Sequence, residues 1–150
     1  MKVLALACLL FLAACSGVMT DQSENQPVFA PGRALALPEP GDLGRSVDWL
    51  QQITVHHGTD VFAFEGRVRV TPAQFQLVGL DSLGRRAMTV TWDKSGQVTA
   101  TRADWLPPQV KPGSMLADII LLYWPRDVVR RALEPAGATL QEVGKTRTVR

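Results

Sequence analysis

Apolar and polar positions alternate with a period of two through the middle of the chain, the spacing of half-buried strands. Val47, Trp49, Ile53, Val55 and His57 share one face of a first predicted strand, and His57-Gly58-Thr59-Asp60 turns it back. From Val61 to Val70, the residues Phe62, Phe64, Val68 and Val70 lie on one face and Glu65, Arg67 and Arg69 on the other. Thr71-Pro72 turns the chain into a strand over 75–80, and Asp81-Ser82-Leu83-Gly84 turns it again. Residues 85–92 then set Met88, Val90 and Trp92 against Ala87, Thr89 and Thr91, and Asp93-Lys94-Ser95-Gly96 leads into a fifth strand over 97–103. Five strands at such short spacing predict an antiparallel meander, a curved sheet or part of a barrel.

Beyond residue 103 the pattern changes. Leu106-Pro107-Pro108 and Pro112-Gly113 read as loop, with Ser114 as the N-cap of a helix over 115–123. Pro125 interrupts, a second short helix covers 126–133, Pro135 and Gly137 end it, and 139–149 has room for one or two more strands. The predicted fold class is α+β: a curved antiparallel sheet or open half-barrel, with a broken apolar helix packed on its concave face.

The N-terminal part reads differently. Met1-Lys2 precedes an unbroken apolar run from Val3 to Ala14, too short for a spanning helix, which needs about 20 residues. The run ends in Leu12-Ala13-Ala14-Cys15-Ser16, which resembles the lipobox of bacterial lipoproteins. That resemblance implies a signal peptide over 1–14 and lipidation of Cys15. With Ser16 next in line, it also implies the periplasmic face of the outer membrane as destination. Residues 15–41, with Pro27, Pro31, Pro38 and Pro40 and no sustained period, are expected to form a flexible tether below a domain over 42–150. Residues 33–37 have the makings of an edge strand, which softens that boundary.

Composition narrows the function. Sixteen basic against fourteen acidic residues give a formal charge of only +2, with no basic run, so nucleic acid is not an expected partner. The two cysteines, Cys8 and Cys15, both fall in the first fifteen residues, leaving the body without a disulfide or a thiol nucleophile. His56 and His57 are neighbours on a strand, so their rings point to opposite faces and do not chelate one ion. No HExxH and no GxSxG occurs. Neither a metal nor a cofactor nor catalytic residues are expected, and the protein reads as non-enzymatic.

Four features remain as candidate chemistry. Asp118 sits within the apolar helix Met115-Leu116-Ala117-Asp118-Ile119-Ile120-Leu121-Leu122, where a carboxylate needs water, an arginine or a ligand. Its position in the first turns also suits a helix N-terminus without any ligand. Arg85 and Arg86 start a strand, point to opposite faces, and are the expected partners of Asp118. They read either as solubility at a turn or as a clamp for a phosphate or carboxylate head group. Leu121, Leu122 and Trp124, with Phe62, Phe64 and Trp92, supply apolar surface that serves either a core or an apolar cavity.

Val78-Gly79-Leu80-Asp81-Ser82-Leu83-Gly84-Arg85-Arg86, followed by Thr91-Trp92-Asp93, Leu116-Ala117-Asp118 and Tyr123-Trp124-Pro125, forms an ordered set. It resembles the bacterial lipoproteins of domain-of-unknown-function family 3261, over roughly residues 62–150. Members of that family often sit beside genes for acyl-chain or aryl-polyene lipid synthesis. In outline they are similar to the outer-membrane lipoprotein receptor of the Lol system, an open β half-barrel capped by helices around an apolar cavity. The resemblance implies a membrane-anchored protein that binds or transfers a lipid or acylated ligand, with a last strand expected beyond Arg150. The alternative is a structural lipoprotein with a filled core that docks an envelope protein partner through an exposed sheet edge. Oligomeric state stays open.

Overall fold

The computed structural model describes residues 22–150, so the expected signal segment and Cys15 lie outside the described residues. The described chain begins with a single helical turn, α1 (Gln22–Asn25), and a small hairpin of β1 (Val28–Ala30) and β2 (Arg33–Ala34). This segment is tied down from several directions. Glu24 meets Arg102 at 3.1 Å, the Arg33 guanidinium donates to the carbonyl of Ala136, and the Ala36 N–H donates to the carbonyl of Ala132. Leu35 and Leu43 are buried in the core, with Phe29 and Leu37 packed against it. Of the tether expected over residues 15–41, the part from residue 22 onward is therefore packed against later parts of the chain. The partners that tie this segment to the rest of the fold, Arg102, Ala132 and Ala136, are far along the chain, which is why no local period announces it. The strand expected over 33–37 shrinks to β2, which pairs with β1 and not with the main sheet.

The main sheet is the predicted meander: β3 (Val47–His57), β4 (Asp60–Val70), β5 (Gln74–Leu80), β6 (Arg86–Asp93) and β7 (Val98–Arg102), each antiparallel to the next. The sheet does not close, so β3 and β7 are its two edges. Alternation assigns the faces. Phe64, Val68, Val70, Phe75, Leu77, Met88, Val90 and Trp92 are buried, while Glu65, Arg67 and Arg69 face solvent. On the solvent face Arg67 grips Asp48 with two bonds of 3.0 Å, which holds the Asp48 carboxyl below its ordinary range. Gly66 occupies an inward position where a Cβ would lie 2.6 Å from Ile53 Cδ1, so the missing side chain lets Ile53 cross the sheet.

Two short helices follow the sheet. α2 (Pro112–Tyr123) touches β6 and β7, and α3 (Arg126–Leu133) runs on to a final hairpin of β8 (Leu140–Val143) and β9 (Thr146–Val149). α2 begins earlier than Ser114, the expected cap. Lys111 takes the extended cap conformation and Pro112 fills the first helical position, where its fixed φ suits the helix and its missing N–H has no partner to lose. Pro125 separates the helices as expected, and α3 ends in a one-turn 3₁₀ segment closed by Gly137 at φ +64°. The core gathers around Phe75, Trp92 and Trp124, whose ring centroids lie 5.7 to 6.3 Å apart in tilted pairs. The coarse class is thus α+β, an open antiparallel sheet with two short helices. Among the described residues no helix is long and apolar enough to cross a membrane.

Candidate functional site

Between the β3 edge and α2 lies a half-open cleft of about 520 Å³. Six consecutive strand residues, Gln51, Gln52, Ile53, Thr54, Val55 and His56, form one wall. Gln109, Val110, Lys111, Ser114, Met115, Asp118, Ile119, Leu122 and Tyr123 form the other. A regular strand alternates its side chains between two faces, so a wall of six consecutive residues means that the strand presents its edge to the cleft. Tyr123 bridges the walls at one end: its hydroxyl donates to Gln51 Oε1 at 3.1 Å, and its ring packs tilted against Trp49, centroids 4.9 Å apart. The lining is amphipathic, with Ile53, Val55, Val110, Met115, Ile119 and Leu122 among hydroxyls, amides and three ionisable groups.

Asp118 is the unusual group in this lining. The helical repeat puts it on the side of α2 that faces β3, two turns from Lys111, and it forms no hydrogen bond or ion pair among the described residues. It keeps contact with solvent, yet the surrounding walls remove enough water to push its pKa above the ordinary carboxylate value. The folded state therefore holds the Asp118 proton more tightly than the unfolded chain does. Its contribution to stability is fully present below the usual value of 3.8 and is lost as pH rises through the raised folded value. Asp118→Asn is accordingly expected to leave stability at pH 7 unchanged or slightly raised, within about 0.5 kcal/mol, and to flatten the decline above pH 4. Urea unfolding at pH 3.5, 5 and 7 checks both signs.

The expected partners of Asp118 are placed elsewhere, which corrects that expectation. Arg85 donates from Nε to Asp81 Oδ2 at 2.7 Å and lies over the Trp105 ring at 4.9 Å. Partial burial opposes ionisation of Asp81, but the backbone N–H and guanidinium of Arg85 and the N–H of Leu83 hold its carboxyl below the ordinary range. Arg86 opens β6 beside Leu80, exposed. Neither arginine lines the cleft, because the turn at Gly84 closes on its own Asp81.

Of the apolar candidates, Leu122 joins Asp118 in the cleft and is 62% exposed. Trp92 and Trp124 are fully buried against Phe75, and Phe64 is buried beside Gly79. Phe62 and Leu121 are half-buried against the core. The structure thus brings together two of the nine proposed contacts, and adds Ile53, Val55, Met115 and Ile119. Strand and helix alternation names these as inward-facing; Ile53 and Val55 stay half-exposed at the cleft, and Met115 and Ile119 are buried beneath it.

A second depression, about 810 Å³ and broad, lies between α3 and the start of β8, lined by Arg126, Asp127, Arg130, Arg131 and Glu134. Its charges are mixed and solvent-facing, which suits a hydrated surface better than an apolar ligand. Among the described residues no group of three or more histidines, cysteines or carboxylates is placed to hold a metal ion.

One functional-looking arginine escaped the sequence pattern. Arg147 on β9 reaches the C-terminal end of α2, where its Nη1 donates to the carbonyls of Leu121, Leu122 and Trp124 at 2.7, 3.2 and 2.8 Å. Its Nε donates to Glu142 Oε1 at 2.7 Å. It closes the helix end that borders the cleft.

A family model described as "Protein of unknown function (DUF3261)" matches residues 48–150. No curated protein and no solved structure matches the chain.

Proposed function

We propose, for a chain that belongs to the DUF3261 family of proteins of unknown function, a non-enzymatic role: binding or transferring a lipid or acylated ligand in the β3–α2 cleft. The observation that carries this reading is the amphipathic lining of the cleft. Ile53, Val55 and Leu122 offer accessible apolar surface for an acyl chain, with Met115 and Ile119 buried behind them, and Met115 is flexible enough to adjust to chains of different shape. Lys111, Ser114 and His56 stand at the polar margin, where a head group is best accommodated. On this reading the protein is a lipoprotein held by lipid on Cys15 at the periplasmic face of the outer membrane. On this reading α2 and the β3 edge are the two walls that hold the ligand.

Mass spectrometry tests both parts. The full chain extracted from membranes is expected to start at Cys15 with a diacylglyceryl-bearing mass. A form starting at residue 16 is expected to copurify with lipid. Leu122→Glu places a charge in the cleft at an exposed position, so lipid occupancy is expected to fall at least tenfold while the melting temperature moves by less than about 2 °C. A chain that starts at residue 1 without lipid defeats the anchor. A form starting at residue 16 that is clean of lipid defeats the carrier reading.

A further inference from the structure

The two edges of the sheet are treated very differently. β7 has five residues, with α1 and α2 lying against it, and its Arg102 is held by Glu24 and by the carbonyl of Leu106. β3 has eleven residues, pairs with β4 in unbroken register from Val47↔Val70 to His57↔Asp60, and contains no bulge and no proline. Asp48 is its only carboxylate or ammonium-type charge. Natural sheets blunt a long edge with a bulge, a proline, a lysine or a covering segment, because an open row of N–H and C=O groups invites another strand. β3 has none of the first three. Among the described residues its backbone has no hydrogen-bonding neighbour except β4.

We propose that the open edge of β3 is a strand-addition site whose ligand is an extended polypeptide segment of a partner protein, held along residues 51–56 by main-chain hydrogen bonds. In an antiparallel pair, every second residue turns its N–H and C=O away from its neighbour. Residues 51–56 therefore offer about three donors and three acceptors over roughly 20 Å of cleft. An acyl chain satisfies none of them. An extended peptide matches all of them at strand spacing, while α2 opposite supplies contacts for its alternate side chains. Leu122, exposed above the buried Met115 and Ile119, suits an apolar residue at those positions, and Asp118, with no ion-pair partner among the described residues, suits a lysine or arginine at one of them. The inference goes beyond the acyl reading of the cleft and does not rest on it.

The test uses the full chain reconstituted in lipid nanodiscs and a display library of random twelve-residue peptides. Enriched peptides are expected to alternate apolar residues with at least one basic residue. Binding is expected to slow amide hydrogen exchange within residues 51–56 at least tenfold. N-methylating the alternate peptide amides that face β3 is expected to weaken binding at least tenfold, and methylating the other alternate set by less than threefold. An empty selection overturns the proposal. So do equal effects from the two methylation sets, and so does protection confined to α2, which leaves the lipid reading untouched. Protection of residues 51–56 that rises with protein concentration in the absence of peptide assigns the edge to a second copy and overturns it as well.

Discussion

Gly113→Ala is expected to destabilise the protein by about 3 kcal/mol, a fall in melting temperature of about 10 °C for a domain of this size. Gly113 lies in the first turn of α2, where the N-terminal segment passes so close that a Cβ would sit 2.1 Å from the carbonyl oxygen of Gln26 and under 3 Å from two more backbone carbons. A flexible side chain swings aside; a carbonyl fixed between Asn25 and the buried Pro27 does not. Room comes only from lifting α1 and β1 off the helix, which loosens Phe29 and Leu35 from the core. The opposing effect is known in size, since alanine is favoured over glycine inside a helix by about 1 kcal/mol. The sign of the measured change therefore decides the matter. Urea unfolding, with limited proteolysis near residues 26–31, is expected to show a less stable variant nicked early in that segment. A more stable variant means that the N-terminal segment does not pack on α2.

Arg147→Ala is expected to cost about 2–3 kcal/mol, and Arg147→Lys somewhat less. The guanidinium serves three carbonyls at the end of α2 and one carboxylate, Glu142, all from a position that is three-quarters buried. Removing it strands the last-turn carbonyls, which point their partial negative charge at the place the cation occupied. Glu142 keeps only the longer contact to Arg126, at 3.6 Å. A lysine replaces the charge but not the fork that spreads it over several acceptors. Thermal unfolding of Arg147→Ala, Glu142→Gln and the double variant reads the coupling. The double variant is expected to lose less than the sum of the two singles. Additive losses would show that the arginine acts on the helix end alone.

Much of the fold was legible because its information is local. Five strands and their turns follow from alternation and from Asp-Gly-type punctuation, and α3 falls where Pro125 and Pro135 bracket it. The start of α2 was harder to place, since Pro112-Gly113 reads as a loop and is instead a first turn with proline at the position that tolerates it. The packing of residues 22–43 was not legible at all. Its contacts join Arg33 to Ala136 and Glu24 to Arg102, separations over which a single sequence carries no periodic signal. For the site, Asp118 and Leu122 stood out by their own chemistry, a charge in an apolar helix and an apolar side chain beside a break. Their opposite wall did not, because which strand becomes an edge depends on how the meander is bounded. The ion pair expected between Asp118 and Arg85 failed for a local reason: Asp81, four residues away, claims the arginine first.

The docking of α1 on α2 and β7 has a mechanical side. On the proposed reading of a lipid on Cys15, the first described residue lies seven positions from the anchor, a span of at most about 25 Å. A span that short would limit orientation as well as distance. The chain enters beside Gln26 and Gly113, next to Lys111 and Ser114 at one end of the cleft, so that end would ride close above the head groups. Any ligand leaving the bilayer would meet it at an effective concentration set by two nanometres of travel, not by the volume of the compartment. On the proposed anchor, tension would load the α1–α2 contact first, and α2 is also a wall of the cleft.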